Sequence, residues 1–505
     1  MTLSRRPRWL GPIAAVALSF SSSSSARGDD WTAAASMATP RAYQTATLLG
    51  DGRVLVTGGI PTTLGNQVLA SADIFDPLAG AWSTTGSMSR PRFEHSAVLL
   101  SDGRVLVIGG QDWFVDNKTA EIFDPLKGTW SSALSMFETR YWSTATLLGN
   151  GEVLVVGGLH GGAHAALRTA ERYNAATNTW AHAAPMARFR AFHRATLLAS
   201  GKILVTGGAA RWDTLDSRAD AELYDPAANT WSPAAPMKES RASHTATLLR
   251  DGRVLVSGGM YLQNKSDAHA SAEIYDPTDN TWAPAGTMIT ARAHHTAEAL
   301  SNGQVLIAGG ASSDGAALDS AEIWSPTTTT WSPAGQMSAQ RDYSASVPLG
   351  EGRVLELGGK PSDSSTSWAS ADVYALPSGA PCGDASECPS GHCVNSVCCS
   401  TACDESACDV CAVAAGAAVD GVCSHLPSSG SSDCAPGCLS AHDCPSPTVC
   451  NEAGQCVAPP PVVSDNSGCS AATPSPAPCA PWSAAAALAL LTAARRRRRR
   501  QRSPA

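Results

Sequence analysis

Between residues 41 and 359 a pair of glycines recurs seven times, at Gly58-Gly59, Gly109-Gly110, Gly157-Gly158, Gly207-Gly208, Gly258-Gly259, Gly309-Gly310 and Gly358-Gly359. The intervals are 51, 48, 50, 51, 51 and 49 residues. A unit repeated at so regular a period is one supersecondary element that cannot bury its apolar face alone and must stack against its copies. That constraint outranks local propensity. It also implies that residues recurring in every copy are mostly architecture.

One unit reads as four strands. After Arg41, residues 45–49 alternate and form a first strand; Asp51-Gly52 is a tight turn of the type that needs positive φ. Residues 53–57 are almost wholly apolar, as expected of a strand buried on both faces, and the glycine pair ends it where two backbones must approach closely. A variable loop of roughly ten residues follows. The third strand spans residues 72–76. A turn at 77–80 leads to a fourth strand around Trp82. Four antiparallel strands repeated radially make a propeller blade.

The tryptophans stand out of phase with the glycines. Trp31, Trp82, Trp130, Trp180, Trp231, Trp282 and Trp331 also number seven, but Trp31 precedes the first glycine pair and none follows the last. The segment at 31–37 is therefore expected to supply the fourth strand of the last blade, closing the ring and removing its free edges.

The glycine pairs, the acidic residue before Tyr or Phe (Glu121, Glu171, Glu222, Glu273; before Trp at Glu322) and the spaced tryptophans resemble the kelch family, and within it the propeller of galactose oxidase. The likeness covers residues 31–376 and implies an all-β fold: a seven-bladed kelch β-propeller closed by an N-terminal strand. Ser325 and Ala375 depart from its Tyr-Asp pattern. Galactose oxidase-like chemistry requires copper with a Tyr cross-linked to a Cys. All 16 cysteines lie at or after Cys382, so that centre has no cysteine to build on within the repeats. No cofactor and no metal site are expected.

Arg41, Arg92, Arg140, Arg190, Arg241, Arg292 and Arg341 recur once per unit. They are either a structural set tied to carboxylates and carbonyls or a ring of cations offered to an anion. His95, His193, His244 and His295 each lie three residues after their Arg, but on separate units without compact metal-ligand spacing. Meander topology puts the variable loops after the second strands at the same end as the connections between blades. Those loops carry Trp113, Phe114, Asp116, His160, His164, Arg211, Trp212, Tyr261 and Lys265. Aromatic residues and arginines on exposed loops of a rigid scaffold are the types that dominate binding. Trp113, Phe114, Arg211, Trp212 and Tyr261 are the expected ligand contacts. No nucleophile elbow or paired catalytic motif is present, and the chain is not expected to be an enzyme.

The formal charge is −8; without the ten terminal arginines (Arg5, Arg6, Arg8, Arg495 to Arg500, Arg502) 26 basic residues face 44 acidic ones, a balance of −18. Such acidity disfavours nucleic acid, whose affinity rests on phosphate neutralisation. Residues 1–26 read as a signal peptide with cleavage after Ala26, by the general or the twin-arginine route. Residues 382–456 hold 14 cysteines, too few apolar residues for a core and a count suited to disulfides; the run through Cys388, Cys393, Cys398 and Cys399 resembles stalk repeats of myxobacterial surface proteins. Residues 457–468 form a Pro-rich linker. Residues 469–505, with Cys469, a short apolar helix and an Arg run, resemble the myxobacterial C-terminal sorting signal, which implies processing at Cys469. The membrane is then contacted only through that tail.

The reading that follows is a secreted, monomeric protein on the outer cell surface of a Gram-negative bacterium. It binds a glycan or a protein ligand through the variable-loop face and is handled by export and sorting proteases. The alternatives are a carbohydrate-active enzyme of epimerase or lyase type and a passive coat protein.

Overall fold

The computed structural model describes residues 30–376, apart from 64–65, 162–164, 212–216, 262–266 and 363–365, together with three short strand pairs further along. The chain divides into two units, 1–435 and 436–505. In the first, all the described regular structure is β.

Blade 1 consists of Thr45–Leu48, Val54–Thr57, Ala72–Asp76 and Ala81–Thr84, hydrogen-bonded in that order from the axis outward. Five more blades repeat the order, opening with Ser96–Leu99, Thr144–Leu147, Arg194–Leu197, Thr245–Leu248 and Thr296–Ala299. Blade 7 takes three strands from its own repeat, Ala345–Gly350, Arg353–Leu357 and Ala371–Ala375. Its fourth is Trp31–Ala34, paired antiparallel so that Trp31 faces Tyr374 and Ala34 faces Ala371. Seven sheets thus close into a ring by joining both ends of the repeat region.

The core lies between blades, because the second strands are too apolar to leave either face wet. Val54, Leu55 and Val56 are wholly buried. Leu106 and Ile108 of blade 2 pack on Val153, Val155 and Tyr173 of blade 3, and the same contact recurs around the ring. At the periphery each recurring tryptophan donates its indole N–H to the preceding blade: Trp130 to the Gly86 carbonyl at 2.6 Å, Trp180 to Leu134 at 2.7 Å and Trp331 to Ala285 at 3.0 Å. Trp31 makes the same bond to Ala334 at 2.7 Å.

Nearer the axis the glycine pair has a steric role. A methyl group on Gly58 would collide with the Arg92 carbonyl of the next blade, and Gly59 donates its N–H to that carbonyl at 2.9 Å. Both residues have positive φ (61° and 91°), where a side chain is strained.

The described residues after 376 are the pairs Cys393–Val394 with Val397–Cys398, and Asp409–Val410 with Ser424–His425. The second unit contributes Val449–Cys450 with Cys456–Val457. The expected signal peptide with Ala26, the disulfides, the linker and the sorting tail with Cys469 otherwise lie outside the described residues.

Candidate functional site

The seven arginines are wholly buried. Each sends Nη1 to the carbonyl of the first glycine of its own blade's pair, at 2.8–2.9 Å. Each sends Nη2 to a carboxylate on the third strand: Asp73, Glu121, Glu171, Glu222, Glu273, Glu322 and Asp372, at 2.6–3.0 Å. In five blades that carboxylate also accepts backbone N–H groups from the strand-to-blade connection, as Glu121 does from Ser89 at 2.6 Å. The arginine side chain thus holds its own blade while its carbonyl binds the blade before. A guanidinium so enclosed is not available to a dissolved anion, and the anion-binding alternative for this ring is set aside.

The variable loops and the blade connections share one face, joined by bridges such as Ala42 with Ile60 and Phe93 with Gln111. On that face, at the axis, lies a cavity of about 360 Å³. Its mouth is built by the residues two after each arginine: Tyr43, Glu94, Trp142, Phe192, Ser243, His294 and Tyr343. All seven have φ between 53° and 58°, unusual for side chains of this bulk. Five of the seven donate their backbone N–H to the equivalent residue of the blade before: Glu94 to the Tyr43 carbonyl, Trp142 to Glu94, Ser243 to Phe192, His294 to Ser243 and Tyr43 to Tyr343, at 3.0–3.3 Å. The left-handed turn that makes those bonds aims the side chains at the axis. There Tyr43 lies 4.2 Å from Tyr343 and 6.0 Å from Trp142, and Trp142 lies 5.0 Å from Phe192, between ring centres.

One layer deeper stand the four histidines. His95 Nε2 meets Thr45 and Thr57 hydroxyls at 3.0 and 2.9 Å; His193 meets Thr144, His244 meets Thr206 and His295 meets Thr245, at 2.8–3.1 Å. In each case the hydroxyl belongs to the preceding blade. Burial, reinforced by nearby arginines, pulls all four well below the usual imidazole range, His193 to about 3, so they are neutral rings. Three positions in the strands near the axis break the repeat with charge, and of these Arg194 lines the cavity. Arg194 replaces the Thr that opens the first strand of blades 3 and 5, and Glu298 replaces a Thr within the first strand of blade 6. A third break, Glu356, interrupts the apolar second strand of blade 7 and is fully buried. Burial raises Glu94 to about 8, Glu298 to about 7 and Glu356 to about 8.

Of the expected ligand contacts, Trp113 and Phe114 are 41% and 75% exposed, with Val115 beside them at 59%. Trp113 packs on Phe93 at 4.6 Å, and Phe93 lies 6.1 Å from Tyr43, so this loop is continuous with the cavity mouth. Tyr261 is half-buried against His269, 4.3 Å between ring centres. Arg211 is exposed on the blade 4 loop. Trp212 lies outside the described residues, as do His164 and Lys265. The structure therefore joins Trp113 to the axis through Phe93, with exposed Phe114 beside it, whereas Arg211 is bridged to Ala165 of the blade 3 loop and Tyr261 packs on His269 of its own loop. Sequence reasoning passed over the cavity itself. Its signal was available: positions where one copy departs from the other six.

These features define a class, a seven-bladed β-propeller of four-stranded repeats with an axial recess on its loop face. The Kelch motif matches residues 92–136, 144–187, 241–289 and 291–338. Kelch-like protein 21 of Danio rerio is 33% identical over 73 residues, 14% of this chain and 11% of that protein, so the chain spans about a tenth of the length of this curated relative. Among solved structures, a fungal alcohol oxidase of the AA5 family in complex with copper superposes with a TM-score of 0.58 at 17% identity, covering 69% of this chain and 76% of the oxidase. YjhT superposes with a TM-score of 0.47 at 14% identity, over 59% of this chain and 98% of YjhT. The protein is a kelch-repeat β-propeller. Likeness to the oxidase extends to the fold alone. The residues here do not fit a copper centre: no cysteine precedes Cys382, and the cavity histidines turn Nε2 to neighbouring threonines rather than to one another. Among the described residues no three His, Cys, Asp or Glu side chains converge on a metal position.

Proposed function

We propose that the protein is a recognition module that binds a glycan through its loop face. The observation that carries this reading is the unbroken aromatic run from exposed Trp113 through Phe93 and Tyr43 to Trp142 and Tyr343 at the cavity mouth. Aromatic faces beside a hydroxyl-lined recess suit a sugar, whose ring has an apolar face and a polar edge. A protein ligand is the second reading, favoured by the exposed Phe114 and Val115, which a sugar does not need. Display on the outer cell surface, on a disulfide-bonded stalk and after sorting at Cys469, completes the proposal. It rests on the composition of the chain outside the propeller. Mass spectrometry of protein recovered from cells, finding the ends near Ala26 and Cys469, would support that part; an intact tail would refute it.

The test of recognition is a glycan array with purified protein, followed by Trp113→Ala combined with Phe114→Ser. The double variant should lose array binding about tenfold or more, the scale of a binding hot spot, with an unchanged melting temperature. Capture of one defined protein at wild-type affinity with a silent array would favour the second reading. Turnover of sugars with a silent array would favour an enzyme.

A further inference from the structure

The cavity carries a charge that the rest of the ring does not. Every blade arginine is neutralised by a buried carboxylate, whereas Arg194 is not. Among the described residues its side chain makes one hydrogen bond, from Nε to the His244 carbonyl at 2.8 Å, and no carboxylate forms an ion pair with it. It projects from the innermost strand of blade 4 into the cavity. Its side chain remains accessible to water there, yet lies deep enough that desolvation lowers its pKa. Nothing nearby offsets it. His193, His244 and His295 are neutral. The carboxyls nearest the recess have partners of their own: Glu94 accepts from the Gln111 amide at 2.6 Å, and Glu298 and Glu356 are engaged by the Ser346 and Thr296 hydroxyls at 2.6 and 2.8 Å; burial raises the pKa of all three. A chain of net charge −8 thus sets into its axial recess a guanidinium that no carboxylate among the described residues pairs with.

Resting on the glycan reading above, we propose that the axial cavity binds a monosaccharide-sized sugar acid, its carboxylate held by the free Nη edge of Arg194 and its ring lying against the aromatic mouth. The planar, singly charged carboxylate matches a guanidinium fork. A doubly charged phosphate would leave one charge uncompensated in a site with a single cation. The Ser243 and Thr247 hydroxyls line the same cavity and supply partners of either polarity for ring hydroxyls. The volume of about 360 Å³ falls within the range of small-molecule sites.

The experiment is calorimetric titration of the full-chain protein with glucuronate, galacturonate and glucose. At least one uronate should bind about tenfold more tightly than glucose, and Arg194→Met should abolish that preference while leaving glucose unaffected. Arg194→Met removes an uncompensated charge and should melt no lower than the wild type. If it does melt lower, Arg194→Lys decides: charge without the fork should weaken the uronate severalfold. Equal affinity for uronates and glucose, no uronate binding, or full uronate binding by either variant overturns the proposal. Array binding of neutral glycans with no uronate preference would sink this inference and leave the glycan reading standing. A silent array together with uronate binding lost in Arg194→Met would do the reverse.

Discussion

Arg92 illustrates how much one side chain can hold. It joins Glu121, Gly109 and Thr119 within blade 2, and its carbonyl receives Gly59 from blade 1. Replacing it with Met strands the Glu121 carboxylate in a buried site. The cost of breaking a buried pair from one side is about 3–5 kcal/mol, so Arg92→Met should lower the melting temperature by several degrees or more in a calorimetric scan. Replacing Arg92 and Glu121 together, with Met and Leu, should recover much of that loss. Gly109→Ala is expected to be comparably damaging, because the new methyl would strike the Arg140 carbonyl. These roles were legible in the sequence because they repeat. Tyr43, Trp142, Arg194 and Glu298 were not, since a search for periodicity discounts what occurs once. Arg194 in particular sits where five of its six counterparts are Thr or Ser and the sixth is Ala345, and only the closed ring shows that Thr144, Arg194, Thr245 and Thr296 face one space.

Among the elements, the strand Trp31–Ala34 matters out of proportion to its length. It completes the hydrogen bonding of Ala371–Ala375 and seats Trp31 on Tyr374 at 5.3 Å. Removing residues 30–37 exposes that edge, and an unpaired strand edge invites association with other chains. The truncated protein should elute as oligomers in size-exclusion chromatography. Trp31→Ala should remain monomeric but lose about 3–5 kcal/mol, the usual cost of emptying a buried aromatic site, read from urea denaturation. The tryptophan register foretold this strand because a missing copy at one end of a repeat array is matched by an extra copy at the other. The variable loops were harder. Their residues obey no period, and only Phe93, an element of the blade connection, shows that the Trp113 loop leads toward the axis while the Tyr261 loop folds against His269.

Across the whole molecule the buried titratable groups set a pH window. His95, His193, His244 and His295 have folded pKa values far below the ordinary imidazole value of 6.5. Below that pH the unfolded chain binds protons that the native state does not, and stability falls with falling pH. Glu94, Glu298 and Glu356 are shifted the other way, from 4.5 up to about 8, 7 and 8. Above pH 4.5 the native state holds protons that the unfolded chain has shed, and stability falls as pH rises toward 8. The two slopes oppose each other between about 4.5 and 6.5, where the melting temperature should be highest. Replacing Glu356 with Gln should flatten the alkaline limb, and a pH series of thermal scans would show whether it does.

The bond between the Trp31 indole and the Ala334 carbonyl spans 303 positions of the chain, and this has a bearing on biogenesis. Contacts so distant in sequence are slow to form. While a ribosome extends the chain, its earliest strand has no seat, because the strand it pairs with, Ala371–Ala375, is the last of the repeats to be made. Blades 1 to 6 can assemble as they emerge, but the propeller stays an open arc until residue 375 is free, and the leading segment is available to chaperones throughout that interval.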